Sequence, residues 1–199
     1  WDKREIISYI SKNERLLRPM NMIDGTPGIG ITSIKINTGT IGVANIMTNL
    51  FMSRTDPVFN KVPEIINSFK LSENVDFALV DVHGEASSEK MAIGYALDGN
   101  VSAVVGTHTH VPTADYQILE KGTAYITDVG MSGDYNSIIG MNKQDALNRF
   151  MFPNNKKSKL EVSLGEPTMC GVIIDTLSNG LSKSIKPLRL GGRLEQTIL

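Results

Sequence analysis

Residues 75–110, VDFALVDVHGEASSEKMAIGYALDGNVSAVVGTHTH, contain the pattern that decides the fold. The apolar run at 75–82 predicts a strand that is buried on both faces. Residues 87–97 predict a helix with two serines as its N-terminal cap, and residues 101–105 predict a second buried strand. Together these elements span about thirty residues, the size of a parallel strand–helix–strand crossover. The stretch therefore predicts an α/β fold.

The flanking segments extend this pattern to a mixed α/β domain. Two short strands at 31–37 and 40–47 are separated by a tight turn and predict a hairpin. A further strand is predicted at 122–129, and helices are predicted at 2–11, with Asp2 as the cap, at 61–69 and at 143–152. Three apolar segments near the end of the chain predict an antiparallel meander at 156–164, 168–176 and 181–188.

The composition is that of an ordinary globular domain and excludes several classes of protein. The 199 residues are 41% hydrophobic and 21% charged, which argues against disorder. The net charge of -1 gives no support for bulk binding to nucleic acid or to an acidic membrane. No apolar run approaches the ~18 residues that a transmembrane helix needs, and no signal peptide is visible.

The cysteine content excludes further kinds of site and indicates the compartment. The single cysteine, Cys170, excludes a disulfide within this chain and a multi-cysteine zinc site. It lies in an apolar segment, MCGVIID, which favours a buried structural thiol over a nucleophile. We therefore expect a cytoplasmic protein.

The chain has three histidines, and all of them lie at the predicted carboxyl ends of the two buried strands. His83 follows the first strand, and His108 and His110 follow the second. Carboxyl ends of parallel strands lie side by side, and open α/β sheets bind their ligands in the crevice there. We therefore expect the three imidazoles to lie close together.

The spacing of His108 and His110 is typical of a metal site. In extended backbone, alternate side chains share one face of the strand, so the two imidazoles point to one side and Thr109 points to the other. Neutral imidazole is a ligand for Zn, Mn, Fe and Ni. We predict that His108 and His110 bind metal together with His83.

The carboxylates of Asp81 and Glu85 alternate with His83 in the sequence DVHGE. Carboxylates beside a metal-binding histidine commonly fix the tautomer of its ring by accepting a hydrogen bond from the nitrogen that does not bind the metal. Asp81 and Glu85 are therefore predicted to support the ligands, and the polar Thr109 is a further candidate. The alternative interpretation is that both acids are helix caps or solvated side chains. A structural zinc site is a further alternative, although three histidines and a water make an open, catalytic arrangement.

Longer strings resemble one known family. GTHTH at 106–110 resembles the last histidine motif of the calcineurin-like metallophosphoesterases, and His83 matches their isolated metal-binding histidine. The more specific strings are RPMN at 18–21, GTPGIGI at 25–31, DVHGEASSEKMAIGYALDG at 81–99, VSAVVGTHTHVPTAD at 101–115 and GTAYITDVGMSG at 122–133. Together they resemble the YmdB-type branch, a bacterial family of metal-dependent cyclic-nucleotide phosphodiesterases, over essentially the whole chain.

The resemblance implies an αββα sandwich with mixed sheets and a site for two divalent metal ions at one end. Fe or Mn is the expected metal, with Zn as a further option. The implied reaction is hydrolysis of a phosphodiester, notably a 2′,3′-cyclic nucleotide such as cyclic AMP, by a hydroxide that the two metals activate. His83, His108 and His110 correspond to the metal ligands in the C-terminal part of the family's domain.

The resemblance also implies that the family's N-terminal motifs lie outside the chain. These motifs are an early Gly-Asp, a Gly-Glu-Asn and a Gly-Asn-His, and Trp1 and Asp2 resemble the residues that follow the last of them. We therefore expect residues 1–199 to be the C-terminal portion of a single domain that lacks its N-terminal strands. The catalytic residue then stays unknown, because the family's general-acid histidine would precede Trp1.

Two functional hypotheses follow. The first is a phosphodiesterase whose partner is a small cyclic nucleotide or another phosphodiester, with no DNA and no membrane. The second is a catalytically incomplete fragment that only binds metal or forms an oligomer. A homo-oligomer is also possible by the resemblance. If strands of the sheet are missing, their neighbours would expose apolar surface, and we therefore expect the chain to be oligomeric or poorly soluble.

Overall fold

The computed structural model describes residues 3–53, 55–153 and 159–197. Within these ranges the strands are β1 (Ile31–Ile36), β2 (Gly39–Met47), β3 (Phe77–His83), β4 (Ala103–Thr107), β5 (Gln117–Ile118), β6 (Ala124–Ile126), β7 (Met169–Thr176) and β8 (Ser182–Leu190). The helices are α1 (Arg4–Ile10), α2 (Val62–Ser68), α3 (Ser87–Leu97) and α4 (Lys143–Met151). A 3-10 turn at Val58–Lys61 leads into α2.

The described strands form two sheets. Six of them make a mixed sheet in the order β1-β2-β3-β4-β6-β5, and β7 pairs with β8 in a second, antiparallel sheet. The predicted hairpin of β1 and β2 is confirmed, as is the parallel pairing of β3 with β4 through the crossover helix α3. The α/β fold with a mixed sheet is therefore confirmed.

One face of the six-stranded sheet is covered by α2 and α3. Val80 and Val82 of β3 are completely buried in this layer, together with Ile93 and Leu97 of α3. Because side chains alternate along a strand, this face receives every second residue of β3. Helix–sheet packing of this kind supplies the larger of the two apolar cores.

The opposite face packs against the two-stranded sheet. Val105 and Ile126 meet Ile185 of β8 in a second, smaller cluster. An apolar cleft of about 400 Å³ separates Leu79 from Val172 on this side. The described layers therefore run from helices through the six-stranded sheet to the two-stranded sheet.

Of two predicted helix caps, the serine cap is wrong and the Asp2 cap lies outside the described residues. Helix α3 begins at Ser87 as expected, but the cap position is Ala86, and no side chain bonds the first turn there. Helix α1 begins at Arg4 rather than at residue 2, and Asp2 lies outside the described residues. Among the helices of the described ranges, only α4 has a side-chain cap, because Asn142 accepts hydrogen bonds from the amides of two following residues.

The C-terminal meander was predicted with one strand too many. Residues 159–164 do not form a strand; Val162 makes only an isolated bridge to Met141, and residues 154–158 lie outside the described ranges. The short strand β5 was not predicted, because two residues carry no periodic pattern. None of the helices in the described part of the chain has the length and apolar character needed to cross a bilayer.

Candidate functional site

The three histidines lie at the carboxyl ends of the central parallel strands. His83 is the last residue of β3 and pairs in register with Thr107, the last residue of β4. The chain then turns directly into His108, Thr109 and His110. The parallel register therefore brings the two sequence regions to one edge of the sheet, as the sequence predicts.

His83 and His108 are in direct contact. The Nε2 atom of His83 lies 3.2 Å from Nδ1 of His108, and the rings meet edge to face with their centroids 4.9 Å apart. The other ring nitrogen of His108, Nε2, lies 3.3 Å from Oε2 of the half-exposed Glu85. Two imidazoles and one carboxylate thus form a cluster at the surface of the sheet edge.

A chain of hydrogen bonds orients the ring of His83. Asn45 donates to one oxygen of Asp81 over 2.6 Å, and the hydroxyl of Thr107 donates to the other over 2.8 Å. The Thr107 oxygen is therefore free to accept a hydrogen bond from Nδ1 of His83, which lies 3.0 Å away. This tautomer leaves the lone pair of Nε2 directed towards His108.

His110 is oriented in the same way by a different partner. Its Nδ1 lies 2.9 Å from the carbonyl oxygen of Ile139, which can only accept, so Nδ1 carries the proton. The hydroxyl of Tyr135 donates to the backbone carbonyl of His110 over 3.1 Å. Among the described residues, ring contacts join His83 to His108 but do not join either of them to His110.

The donor set fits a divalent metal ion in part. Metal-binding histidines usually donate one ring N–H to a carbonyl or carboxylate and ligate through the other nitrogen. His110 donates to a carbonyl in this way, whereas His83 donates to the hydroxyl of Thr107, which in turn bonds the carboxylate of Asp81. Two nitrogens 3.2 Å apart can share one ion, since each Zn–N bond spans about 2.0–2.1 Å. In the described ranges, however, no group of three or more histidine, cysteine, aspartate or glutamate side chains, the cluster of His83, His108 and Glu85 included, has the arrangement of a metal site.

The environment of His83 favours its neutral form. Burial lowers the pKa of His83 below its ordinary value, and the adjacent His108 lowers it further, while Asp81 acts in the opposite direction. Metal binding requires the neutral imidazole. His83 is therefore in the correct protonation state near neutral pH.

The residues predicted to support the ligands have unequal roles in the geometry. Asp81 reaches His83 through Thr107, and Glu85 contacts His108 directly. The hydroxyl of Thr109 instead turns to the carbonyl of Val111. The backbone N–H of Thr109 donates to Asp128.

Sequence reasoning missed several groups that shape this edge. Thr107 and Asn45 connect Asp81 to the rest of the network, and the register of β2 against β3 places Asn45 directly beside Asp81. The signal was therefore present only in the pairing of the strands. Gly106 is a second omission: a Cβ there would collide with the carbonyl of Thr127, so this position allows close approach of the neighbouring backbone.

Comparison with known proteins agrees with this architecture. The chain is 43% identical to a 2′,3′-cyclic-nucleotide 2′-phosphodiesterase of Bacillus subtilis over 190 residues, covering 96% of this chain and 70% of that protein. A hypothetical protein from Thermus thermophilus superimposes with a TM-score of 0.86 at 35% identity, over 97% of this chain and 73% of that one. A phosphatase from Mycoplasma pneumoniae superimposes with a TM-score of 0.83 at 30% identity, over 96% of this chain and 69% of that one.

The model of the YmdB-like protein family matches residues 1–188, which confirms the resemblance seen in the sequence strings. The named relatives include a phosphodiesterase and a phosphatase. By these matches the chain belongs to the YmdB-like protein family, and it is a hydrolase.

Proposed function

We propose that this protein is a metal-dependent phosphodiesterase that hydrolyses 2′,3′-cyclic nucleotides such as cyclic AMP. The observation that carries the proposal is the 3.2 Å contact between Nε2 of His83 and Nδ1 of His108, at the carboxyl ends of two parallel strands of the mixed sheet. The Bacillus subtilis relative, named for this substrate class, supports it. The chain spans 70% of that relative, and the proposal places the activity in the cytoplasm.

In this proposal His83, His108 and His110 hold two divalent ions, with Fe or Mn favoured and Zn as an option. When bound, such ions lower the pKa of water and neutralise charge on the phosphoryl oxygens. Thr107 keeps the proton of His83 on Nδ1, and the carbonyl of Ile139 does the same for His110. Both rings are thereby held with a nitrogen lone pair available, which limits the rearrangement needed for binding.

Glu85 has two roles open to it at the cluster. Its half-exposed carboxylate lies with Oε2 3.3 Å from Nε2 of His108. It can therefore accept a hydrogen bond from that ring nitrogen or approach an ion that lies beside the ring. A carboxylate is the harder ligand that Mn prefers over soft donors. We propose that Glu85 adds negative charge at the solvent side of the site.

A second candidate function is a module that binds metal or forms an oligomer without catalysis. The incomplete set of converging ligands in the described ranges favours it. The two candidates differ in turnover but not in metal binding, so both quantities have to be measured on the same sample.

The test is elemental analysis for Fe, Mn and Zn, combined with turnover of 2′,3′-cyclic AMP and bis-p-nitrophenyl phosphate in the presence of Mn²⁺. His108→Ala should lose bound metal and activity together, whereas Lys186→Ala, an exposed change on β8, should lose neither. His108→Ala with full activity and unchanged metal content would refute the proposal. Metal without turnover in the unaltered protein would favour the non-catalytic module.

A further inference from the structure

A fully buried ion pair contacts residues 107–110, the histidine loop. Lys90 of α3 and Asp128, two residues after β6, meet with Nζ and Oδ2 3.0 Å apart, and their side chains are 0% and 1% exposed. Removing two charges from water is expensive. Neither residue belongs to the ligand cluster described above, so the pair requires an explanation of its own.

The pair is bonded to the backbone on both sides of His108. Lys90 donates to the carbonyl of Thr107 over 2.7 Å, and Oδ2 of Asp128 accepts from the N–H of Thr109 over 2.9 Å. The other oxygen of Asp128 accepts from the N–H of Gly130 over 2.9 Å. The loop that carries the histidines is therefore tied to α3 and to the segment after β6.

The loop needs such ties because its backbone is strained. His108 and His110 have φ values of 116° and 67°, in the region that side-chain-bearing residues rarely adopt. Strained backbone of this kind persists only where the surrounding structure over-determines it. The bonds to Thr107 and Thr109 act on the residues that flank His108, where the restraint is required.

Stability alone does not account for the pair. Replacing a buried ion pair with apolar side chains of similar volume is often neutral or stabilising. A carboxylate and an ammonium, in contrast, can hold several backbone groups at fixed distances at once. The arrangement thus provides geometry that an apolar pair would not.

We propose that Lys90 and Asp128 are positioning residues of the metal site, which hold residues 107–110 in the conformation that presents His108 and His110. The proposal rests on the metal-binding role assigned to these histidines. Loss of the pair should weaken metal binding even where the fold is retained.

The chain offers a matched control in Asp98. Its carboxylate is also buried and also accepts two backbone N–H groups, those of Lys121 and Thr123, but it lies at the far end of α3. Asp128→Asn and Asp98→Asn therefore each remove one buried carboxylate charge that accepts two backbone N–H groups, although only Asp128 also pairs with a buried ammonium. Only the first change lies next to the histidine loop.

The experiment titrates Mn²⁺ into each variant of the full chain by calorimetry and measures hydrogen exchange at the amide of Thr109. Asp128→Asn should reduce Mn²⁺ affinity about 10- to 100-fold, the range typical of residues that support metal ligands. It should also speed exchange at Thr109, whereas Asp98→Asn should change neither quantity. Lys90→Met combined with Asp128→Leu leaves no unpaired charge, and it should fold while showing the same losses.

Unchanged Mn²⁺ affinity and unchanged Thr109 exchange in the folded double variant would overturn the proposal. Equal losses of affinity in Asp98→Asn and Asp128→Asn would also overturn it, because the effect would then be general destabilisation. If the unaltered chain binds no Mn²⁺, the proposed function fails in this chain. Hydrogen exchange at Thr109 still decides whether the pair holds the loop.

Discussion

The two faces of the six-stranded sheet differ in how completely they are covered. On the helix side, Val80 and Val82 of β3 are entirely buried against α2 and α3. On the other side, Leu79 is only half-buried and borders the apolar cleft beside β7. The strand thus contributes side chains to a closed face, which the helices cover, and to an open face, which borders the cleft.

The histidine cluster belongs to the open side. Side chains alternate along β3, so Asp81 and His83 follow Phe77 and Leu79 on the cleft face, and none of these four is fully buried. The closed face supplies packing, whereas the open face ends in polar groups that can meet a ligand. Because β3 has a two-residue period, one set of its alternate residues packs the core and the other set leads to the polar groups of the site.

The largest effect expected from this difference is on stability. Leu97→Ala on the closed face should lower the free energy of unfolding by about 2–5 kcal/mol, because it leaves a cavity in a fully packed core. Leu79→Ala on the open face should cost less than half as much, because its side chain already borders empty space. Urea unfolding of both variants measures the difference.

The pair is matched in chemistry, since each change removes the same atoms from a leucine. Equal losses for the two variants would show that the cleft face is as tightly packed as the helix face. The contrast between the faces would then be wrong.

A second, smaller effect concerns self-association through the cleft. An apolar cleft of about 400 Å³ is a surface that a second molecule can cover, so we expect the isolated chain to be oligomeric or poorly soluble. Val172→Lys, which places a charge in the cleft, should shift the chain towards monomer. Sedimentation velocity at several concentrations measures the change.

The neighbouring residue supplies the control. Ile173 lies on the other side of β7 and is partly exposed, so Ile173→Lys adds the same charge outside the cleft and should leave the association unchanged. A monodisperse, cooperatively melting monomer of the unaltered chain would contradict the prediction.

The smallest effect expected is a pH dependence from the open face. The pKa of His83 is lowered in the folded chain by burial and by His108. The unfolded chain therefore binds more protons below the ordinary histidine pKa of about 6.5, and the stability of the metal-free chain should fall as the pH drops through that value. Above this range His83 stays neutral in both states and should add no pH dependence to the stability.

Thermal unfolding between pH 5 and pH 8 in the presence of a chelator measures this dependence. His83→Gln should flatten the part of the profile that His83 causes. A profile that is identical with and without His83 would show that the titration of His83 does not contribute to the pH dependence, and the prediction would be wrong.

The central part of the fold could be predicted because its signals are local. The apolar runs at 75–82 and 101–105 and the helical pattern between them define a parallel crossover. Burial on both faces of β3 was predicted as well, and here the structure differs, because the cleft leaves one face partly open. A run of apolar residues reports hydrophobicity and does not report what covers each side.

The histidines could be located because strand ends align in a parallel sheet, but their supports could not. Lys90 has the appearance of a solvated helix residue in the sequence, and Asp128 lies 38 positions away. Their contact depends on the packing of α3 against the sheet, which no local pattern encodes. Thr107 and Asn45 were missed for the same reason, since they meet Asp81 only through strand register.

The backbone of the histidine loop also limits how the site could be re-engineered. His110 has a φ of 67°, in the left-handed region that asparagine, aspartate and histidine accept most readily among side-chain-bearing residues, whereas His108 has a φ of 116°, outside that region. The backbone conformation therefore limits which residues can replace the two histidines, whatever their affinity for a metal. Asparagine and aspartate, which offer oxygen donors, are compatible with the backbone at position 110, whereas β-branched residues would be strained at both positions. A change of metal preference by substitution would therefore move the site towards harder ions.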